Sequence, residues 1–486
     1  MTKTSEAEAL EREGLLASQR GDYQAALRAL SQAVALNPSE CGYHNELGNA
    51  LQRMGRFADS ILCYQEALRQ DPRSAEVYNS LGGALLHLER YPEALSSFLR
   101  AAEIKPEYAE PYNNVGNVLQ AQGQLPDAVS CYREALRWRP DCAEAWHNAG
   151  KAFEVGRCLE DALACYEEAL RLRPDFPEAH ISRAMTWLLA GNFEQGWTEY
   201  EWRWKGGESP GREFTKPLWD GSPLKGKPVL LHAEQGLGDT LQFLRYAPLV
   251  RQRGAKVVVE CQPRLAGLVE TTEGVDRVVA AGSRLPSFQA QLPLLSLPGI
   301  FGTTLDSIPE PARFRVDRAR VEGWRKRLSG QGAWKVGITW AGNPVHRNNP
   351  YRDRSAGLAQ FAPLARHAKL ALFSLQRGGE AAQLSSPPPG LKIDPLEEES
   401  MEAIDTAAAI LNLDLVITVD SMVAHLAASL GKPVWVLLPF AAEWRWLLDR
   451  EDSPWYPTMR LFRQPRPGEW RAVLERVTEV LPDAFH

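Results

Sequence analysis

Residues 45–78, NELGNALQRMGRFADSILCYQEALRQDPRSAEVY, decide the fold, because the chain repeats their plan on both sides. Pro38, Pro72, Pro106, Pro140 and Pro174 recur every 34 residues, and so do Gly14, Gly48, Gly82, Gly116 and Gly150. Ala33, Ala67, Ala101, Ala135 and Ala169 form a third ladder, and Tyr64, Phe98, Tyr132 and Tyr166 a fourth. Self-similarity at this period marks stacked helical hairpins. Glycine and alanine let two helices approach closely, and proline ends the second helix. The aromatic, midway along that helix, is expected to fill the gap between neighbouring units.

This pattern resembles the tetratricopeptide repeat over about the first two-fifths of the chain, which implies an α-solenoid across residues 1–205. Five units are clear, and a degenerate sixth keeps Ala184, Gly191 and Tyr200 in phase. Its second helix turns tryptophan-rich at Trp197, Trp202 and Trp204, as a terminal repeat facing a different neighbour would. It is expected to pack on the next domain. On the first helices, Asn45, Asn49 and Gln52 stand at i, i+4 and i+7, as do Asn113, Asn117 and Gln120, with Asn79 between them. Amides offer both donor and acceptor, which suits gripping the backbone of an extended polypeptide. The stripe is similar to the asparagine ladder of protein O-linked N-acetylglucosamine transferases, although His147 and Lys151 interrupt it in the fifth unit. An ordinary solvated inner face is the other reading of the same residues.

The net charge of −6 and pI near 6.0 oppose a nucleic-acid partner. Apolar runs such as Leu411 to Val419 are too short to span a bilayer, and the segment Met1 to Gly14 is charged. The seven cysteines show no metal-like spacing, so no metal is expected, and reduced thiols fit a cytoplasmic protein.

Helical periodicity stops at residues 206–227, a Gly/Pro-rich linker whose Trp219 is expected to dock on a surface. Beyond it the rhythm becomes strand, loop, helix. Strands are expected at Val229–His232, Val257–Glu260 and Arg277–Ala280, then at Val336–Trp340, Leu370–Leu375, Leu415–Val419 and Val434–Leu438. A helix is expected from Thr240 to Arg253 and a last one from Gly468 to Leu481. Such alternation implies parallel sheets with ligands at the carboxyl ends of the strands. The fold class expected is therefore α-solenoid followed by α/β, with two Rossmann-like lobes at residues 228–331 and 332–486.

Three loops follow strands. In the first, Gly236 and Gly238 permit close backbone approach and Asp239 opens a helix, where an aspartate commonly caps. The second holds Asn343, His346, Arg347, Arg352 and Arg354, read either as a solvated loop or as phosphate-binding cations. The third, Asp420-Ser421-Met422-Val423-Ala424-His425, starts a helix whose N-terminus can receive an anion. The aromatic segments Glu443–Trp446 and Trp455–Tyr456 are read as donor-pocket walls or as packing against the linker.

At these residues the chain resembles the heptosyltransferase-like glycosyltransferases of the two-lobed GT-B type, on the Gly-Leu-Gly-Asp loop, the Asp-Ser-x-x-x-His segment and Gly431-Lys432-Pro433. The first lobe is shorter than is usual in that family. The resemblance implies metal-independent, inverting transfer of a sugar from a nucleotide-sugar donor, a co-substrate, with no cofactor. It implies Asp239 as general base and Asp420, Ser421, Met422 and His425 as diphosphate contacts; Gly236, Gly238, Asn343, Arg347 and Arg352 complete the expected donor site. With the short first lobe, the expected acceptor is a polypeptide held by Asn45, Asn49, Asn79, Asn113 and Asn117. A saccharide or lipid acceptor, and a non-catalytic scaffold with a retained nucleotide pocket, are the alternatives.

Overall fold

A computed structural model describes residues 3–206, 214–329, 334–342, 353–396 and 401–485. It divides into two compact units, Met1–Phe176 and Pro177–His486.

The first unit is a run of helical hairpins: α1 (Lys3–Gln19) with α2 (Tyr23–Leu36), α3 (Cys41–Arg53) with α4 (Phe57–Gln70), α5 (Ala75–His87) with α6 (Tyr91–Ile104), α7 (Ala109–Ala121) with α8 (Leu125–Trp138), and α9 (Ala143–Val155) with α10 (Leu159–Leu172). The proline ladder works through the residue ahead of it. Asn37, Asp71, Lys105, Arg139 and Arg173 each close the preceding helix with a backbone N–H and then leave helical dihedrals, as a residue before proline must.

The aromatic ladder packs toward the next unit as expected, Tyr64 sharing a buried cluster with Val77 and Leu81 and Tyr132 one with Ala149 and Ala152, and it also presses on the glycine of its own unit. A Cβ at Gly48, Gly116 or Gly150 would lie 2.5 Å from the ring of Tyr64, Tyr132 or Tyr166, and one at Gly82 would lie 2.6 Å from Phe98. That distance is impossible for a real Cβ, so the two ladders require one another. A further ladder sits in the turn within each hairpin: Gly21, Gly55, Glu89, Gly123 and Arg157 all hold positive φ, between 57° and 77°. Two of its members carry side chains that disfavour this backbone region.

The second unit begins with the sixth repeat, α11 (Pro177–Leu189) and α12 (Phe193–Tyr200), so the compact α/β body starts earlier than residue 206. The reason is packing. The Trp197 indole donates to the Thr303 carbonyl at 3.0 Å and meets Trp444 and Trp455 edge-on, while Phe193 stacks on Trp455. The Trp444 and Trp455 rings therefore pack on the last repeat. The linker docks by Trp219, which is buried and bonds through its backbone to Gln291.

Among the described residues there are two sheets. In the first, β1 (Pro228–His232), β2 (Lys256–Cys261), β3 (Arg277–Ala280) and β4 (Ala290–Pro293) are all parallel in the order β3-β2-β1-β4. The second contains β5 (Trp334–Thr339), β6 (Leu370–Ser374), β7 (Ile393–Pro395), β8 (Leu415–Val419), β9 (Val434–Leu438), β10 (Asp452–Ser453) and β11 (Tyr456–Arg463). Its order is β10-β11-β9-β8-β5-β6-β7, parallel except for β10. Strands β5, β8 and β9 are apolar runs buried on both faces over most of their length, as parallel sheets demand.

The helix expected from Thr240 to Arg253 is three pieces: α13 (Leu237–Phe243), a single turn at Leu244–Tyr246 and a short helix at Ala247–Gln252. Pro248, which lacks an N–H, sits in the first turn of the last piece. The Arg318–Arg327 helix packs on the Ala403–Ile410 helix, with Arg320 paired to Asp405 and the Asn412 side chain bonded to the Val321 carbonyl. It thus belongs with the second sheet, which shortens the body around the first sheet further.

Candidate functional site

Sheet order locates the crevices. In the first sheet the chain reverses direction between β1 and β4, and in the second between β5 and β8. Ligands of open parallel sheets sit at the carboxyl ends of such strand pairs. The loops concerned are those after β1, β4, β5 and β8, and they hold the three sequence motifs.

The loop after β1 turns into α13 through Gly236, whose N–H donates to Asp239 Oδ2 at 3.0 Å. The other oxygen, Oδ1, accepts from Arg445 Nη2 at 2.5 Å. Asp239 is therefore both helix cap and ion-pair partner, with each oxygen engaged. Arg445 is buried; its Nε also donates to Gln242 at 3.1 Å and its Nη1 pairs with Glu443. Glu443 in turn lies 3.7 Å from Arg354, and Arg354 lies 3.8 Å from Asp420. An alternating chain of charges, Asp239–Arg445–Glu443–Arg354–Asp420, thus joins the loop after β1 to the loop after β8.

The two motifs also touch directly. The Met422–Ser429 helix carries His425 inward, where it is buried, stacks on Trp446 and hydrogen-bonds Tyr456 Oη at 3.1 Å. Gly238 faces this ring: a Cβ there would lie 2.8 Å from His425 Cδ2. Burial first, then the nearby Arg445 guanidinium, drives the His425 pKa down to about 3, so the imidazole is neutral near pH 7. Ser421, half-exposed and extended, hydrogen-bonds Thr418 Oγ1 at 2.9 Å and leaves the first N–H groups of the helix uncapped by its side chain. Met422 is half-exposed beside it.

The loop after β5 starts from a fixed point, because Gln376 accepts from the Trp340 and Ala341 N–H groups at 3.0 and 2.9 Å. At Gly342 a Cβ would lie 2.8 Å from Arg354 Nε, so glycine there admits the guanidinium. Asn343, His346, Arg347 and Arg352 lie outside the described residues.

At the β1/β4 crevice a cavity of about 420 Å³ is lined by Trp204, Phe214, His232, Gln235, Glu260 and Gln262. Its floor is braced by Arg203, which donates to Glu234 at 2.8 and 3.1 Å, to Ser296 at 2.7 Å and to Glu201 at 2.7 Å. Burial raises the Glu234 pKa, and the Arg203 pair opposes that rise. Arg203 belongs to the last repeat. The sequence showed it only as a cation among three tryptophans.

In the first unit the amides have partners of their own. Tyr64 Oη lies 2.9 and 2.8 Å from the side-chain amides of Asn49 and Gln52, and Tyr132 Oη 2.8 Å from each of those of Asn117 and Gln120, so each hydroxyl donates its one proton to one amide of its pair. Where the ladder aromatic is Phe98, with no hydroxyl, the same two positions are Gly83 and Leu86. Tyr166 donates instead to Glu154 at 2.9 Å. Asn79 and Asn113 accept from Asn114 and Asn148 of the next unit at 2.9 and 3.0 Å. Asn45 donates to Glu46 at 3.3 Å, and its carbonyl has no hydrogen-bond partner among the described residues. A second ladder, Lys105–Glu76, Arg139–Glu110 and Arg173–Glu144, ties the end of the second helix of a hairpin to the start of its first helix.

Residues 45–109 and 143–176 match the tetratricopeptide repeat family, and residues 14–55 and 116–155 match the TPR repeat family. Protein FlbA of Caulobacter vibrioides (strain ATCC 19089 / CIP 103742 / CB 15) is 28% identical over 341 residues. That match covers 62% of this chain, more than the repeats occupy, and 54% of FlbA, so the chain spans about half the length of the curated relative it matches. YrrB, described as a TPR protein with an unusual peptide-binding site, is 25% identical with a TM-score of 0.29, over 34% of this chain and 86% of YrrB. PilF of Pseudomonas aeruginosa is 20% identical with a TM-score of 0.38, over 44% and 96% respectively. MamA is 23% identical with a TM-score of 0.31, over 36% and 94%. The first unit is thus a tetratricopeptide-type helical array, a fold suited to binding a peptide or protein. Among the described residues no helix is long and apolar enough to cross a membrane.

Proposed function

We propose that the chain is a glycosyltransferase that moves a sugar from a nucleotide-sugar donor to a hydroxyl of a polypeptide held by the repeats. The observation that carries this reading is the union of the loops after β1 and β8, through the Gly238–His425 contact and the Asp239–Arg445 pair. It brings the Gly-Leu-Gly-Asp and Asp-Ser-x-x-x-His motifs, which come from different sheets, to the crevices where parallel sheets bind ligands. The two sheets are read as the two lobes of a GT-B-type enzyme.

In this reading the donor diphosphate lies at the N-terminus of the Met422–Ser429 helix, where free N–H groups and Arg354 stabilise the charge that accumulates on the leaving group. His425, neutral and buried, positions the Gly238 loop. The acceptor hydroxyl approaches from the cavity at the β1/β4 crevice. Asp239 takes its proton only after Arg445 releases the carboxylate, because both oxygens are occupied in this state. Amides at Asn79 and Asn113, already paired between units, contribute their remaining hydrogen-bonding capacity to the polypeptide.

A second reading, a tetratricopeptide scaffold with a retained nucleotide pocket, draws on that same occupancy of Asp239. A thermal-shift screen of the full chain against UDP-, GDP-, ADP- and CMP-sugars separates these readings from a chain with no nucleotide site. Stabilisation by one donor, followed by release of its nucleotide on adding the acceptor protein, supports the transferase. Stabilisation without release supports the scaffold, and no shift with any donor removes both.

A further inference from the structure

We infer that the Glu443 carboxylate is an internal stand-in for a ligand phosphoryl group, held between the guanidiniums of Arg445 and Arg354 until a diphosphate displaces it. The inference rests on the nucleotide-sugar reading for the identity of the natural ligand, and on the local geometry for the site itself.

Three features carry it. First, Glu443 bridges two arginines that come from different elements, touching Arg445 with one oxygen and lying 3.7 Å from Arg354 with the other. Two guanidiniums converging on one anion make the arrangement that binds phosphate oxygens. Second, the members differ in exposure. The side chain of Arg445 is 6% exposed and that of Asp420 7%, whereas that of Glu443 is 47% exposed. Of the two cations Arg445 is built in and Arg354 is 26% exposed; the anion between them is the most exposed of the three and is the part that can leave. Third, the charges count. Arg245, Arg354 and Arg445 all act on the buried His425, and Asp239, Asp420 and Glu443 balance them. Among the described residues, the cluster without Glu443 keeps one positive charge in excess, which an entering anion neutralises.

The stand-in lowers apparent affinity by the fraction of time it occupies the site. The test is isothermal titration of the full-length protein with inorganic pyrophosphate. If Glu443 fills the site about nine-tenths of the time, Glu443→Gln binds pyrophosphate about tenfold more tightly than the parent. Glu443→Ala should do the same, and Arg354→Gln should weaken binding in either background. Asp452→Asn, which removes a carboxylate paired with Arg450 on the surface, should change nothing. Equal or weaker binding by both Glu443 variants, with melting temperatures like the parent's, overturns the inference, as does absence of pyrophosphate binding in all of them. Tighter pyrophosphate binding together with a negative nucleotide-sugar screen would keep the anion site and remove the transferase reading. A positive screen with Glu443 variants unchanged would do the reverse.

Discussion

His425 and Gly238 face one another so closely that any side chain at position 238 would force a shift: the nearest ring carbon would stand 2.8 Å from a Cβ. The glycine is therefore set by a histidine almost two hundred positions later in the chain. Gly238→Ala is expected to destabilise the second unit by about 1–3 kcal/mol, the usual cost of overpacking. Gly238→Ala combined with His425→Ala should lose less than the sum of the two single changes. Denaturant unfolding of the four proteins measures the coupling, and strict additivity would refute the contact.

Acid stability follows from the same histidine. Its folded pKa of about 3 lies below the ordinary value of 6.5, so the unfolded chain binds the proton first. Stability from this group is complete above pH 6.5 and is lost as pH falls toward 3. In that window the slope approaches about 1.4 kcal/mol per pH unit. His425→Gln should flatten the fall of melting temperature between pH 6.5 and pH 4; an unchanged slope would place its origin in other groups.

The repeats contain a swap that nature has already made. Tyr132→Phe strands the amide oxygens of Asn117 and Gln120 and is expected to cost about 1–2 kcal/mol. Adding Asn117→Gly and Gln120→Leu copies the Gly83, Leu86 and Phe98 set of the third unit. The triple variant should recover part of the loss in spite of the helical glycine. Failure to recover any would mean that the amides serve something besides the tyrosine hydroxyl.

Glu89 and Arg157 hold φ values of 57° and 65° at a position that is glycine in the first, second and fourth units. Glu89→Gly removes that strain, worth about 1 kcal/mol, and should raise the unfolding midpoint of the repeat array. A lower midpoint with unchanged denaturant slope would show that the side chain's own contacts outweigh it.

Asp239→Asn tests the chemistry. Under the transferase reading it abolishes transfer, by about 100-fold or more, while donor affinity is kept. The substitution also weakens the pair with Arg445, so melting temperature must be followed in parallel. Transfer that declines only with the folded fraction would leave Asp239 as a cap and ion-pair partner alone.

Much of the fold was legible. The 34-residue ladders fix the hairpins, and Val-Ile-Leu runs such as Leu415–Val419 mark strands buried on both faces. Strand β11 was missed because Tyr456–Arg463 mixes Pro457 and two arginines with its apolar residues, and β4 because four residues leave no period to read. The amide stripe shows the limit of spacing. Periodicity tells which residues share a face, but the bond from Tyr64 to Asn49 spans two helices and is invisible to it. The loss of amide and hydroxyl together at Gly83, Leu86 and Phe98 was the available clue. For Arg445 no local clue existed, since its partner Asp239 lies in α13, about two hundred residues earlier in the chain.

The seam between the compact units runs inside the repeat series, after Phe176. Five hairpins thus form a cassette, and three of them close on themselves through a cation-to-glutamate tie at a spacing of 29 residues. Copies can be gained or dropped in whole units of 34 residues without disturbing Arg203 or Trp197 of the sixth. Relatives are therefore expected to differ more in repeat number than in the loops after β1 and β8, which an alignment of their sequences would check.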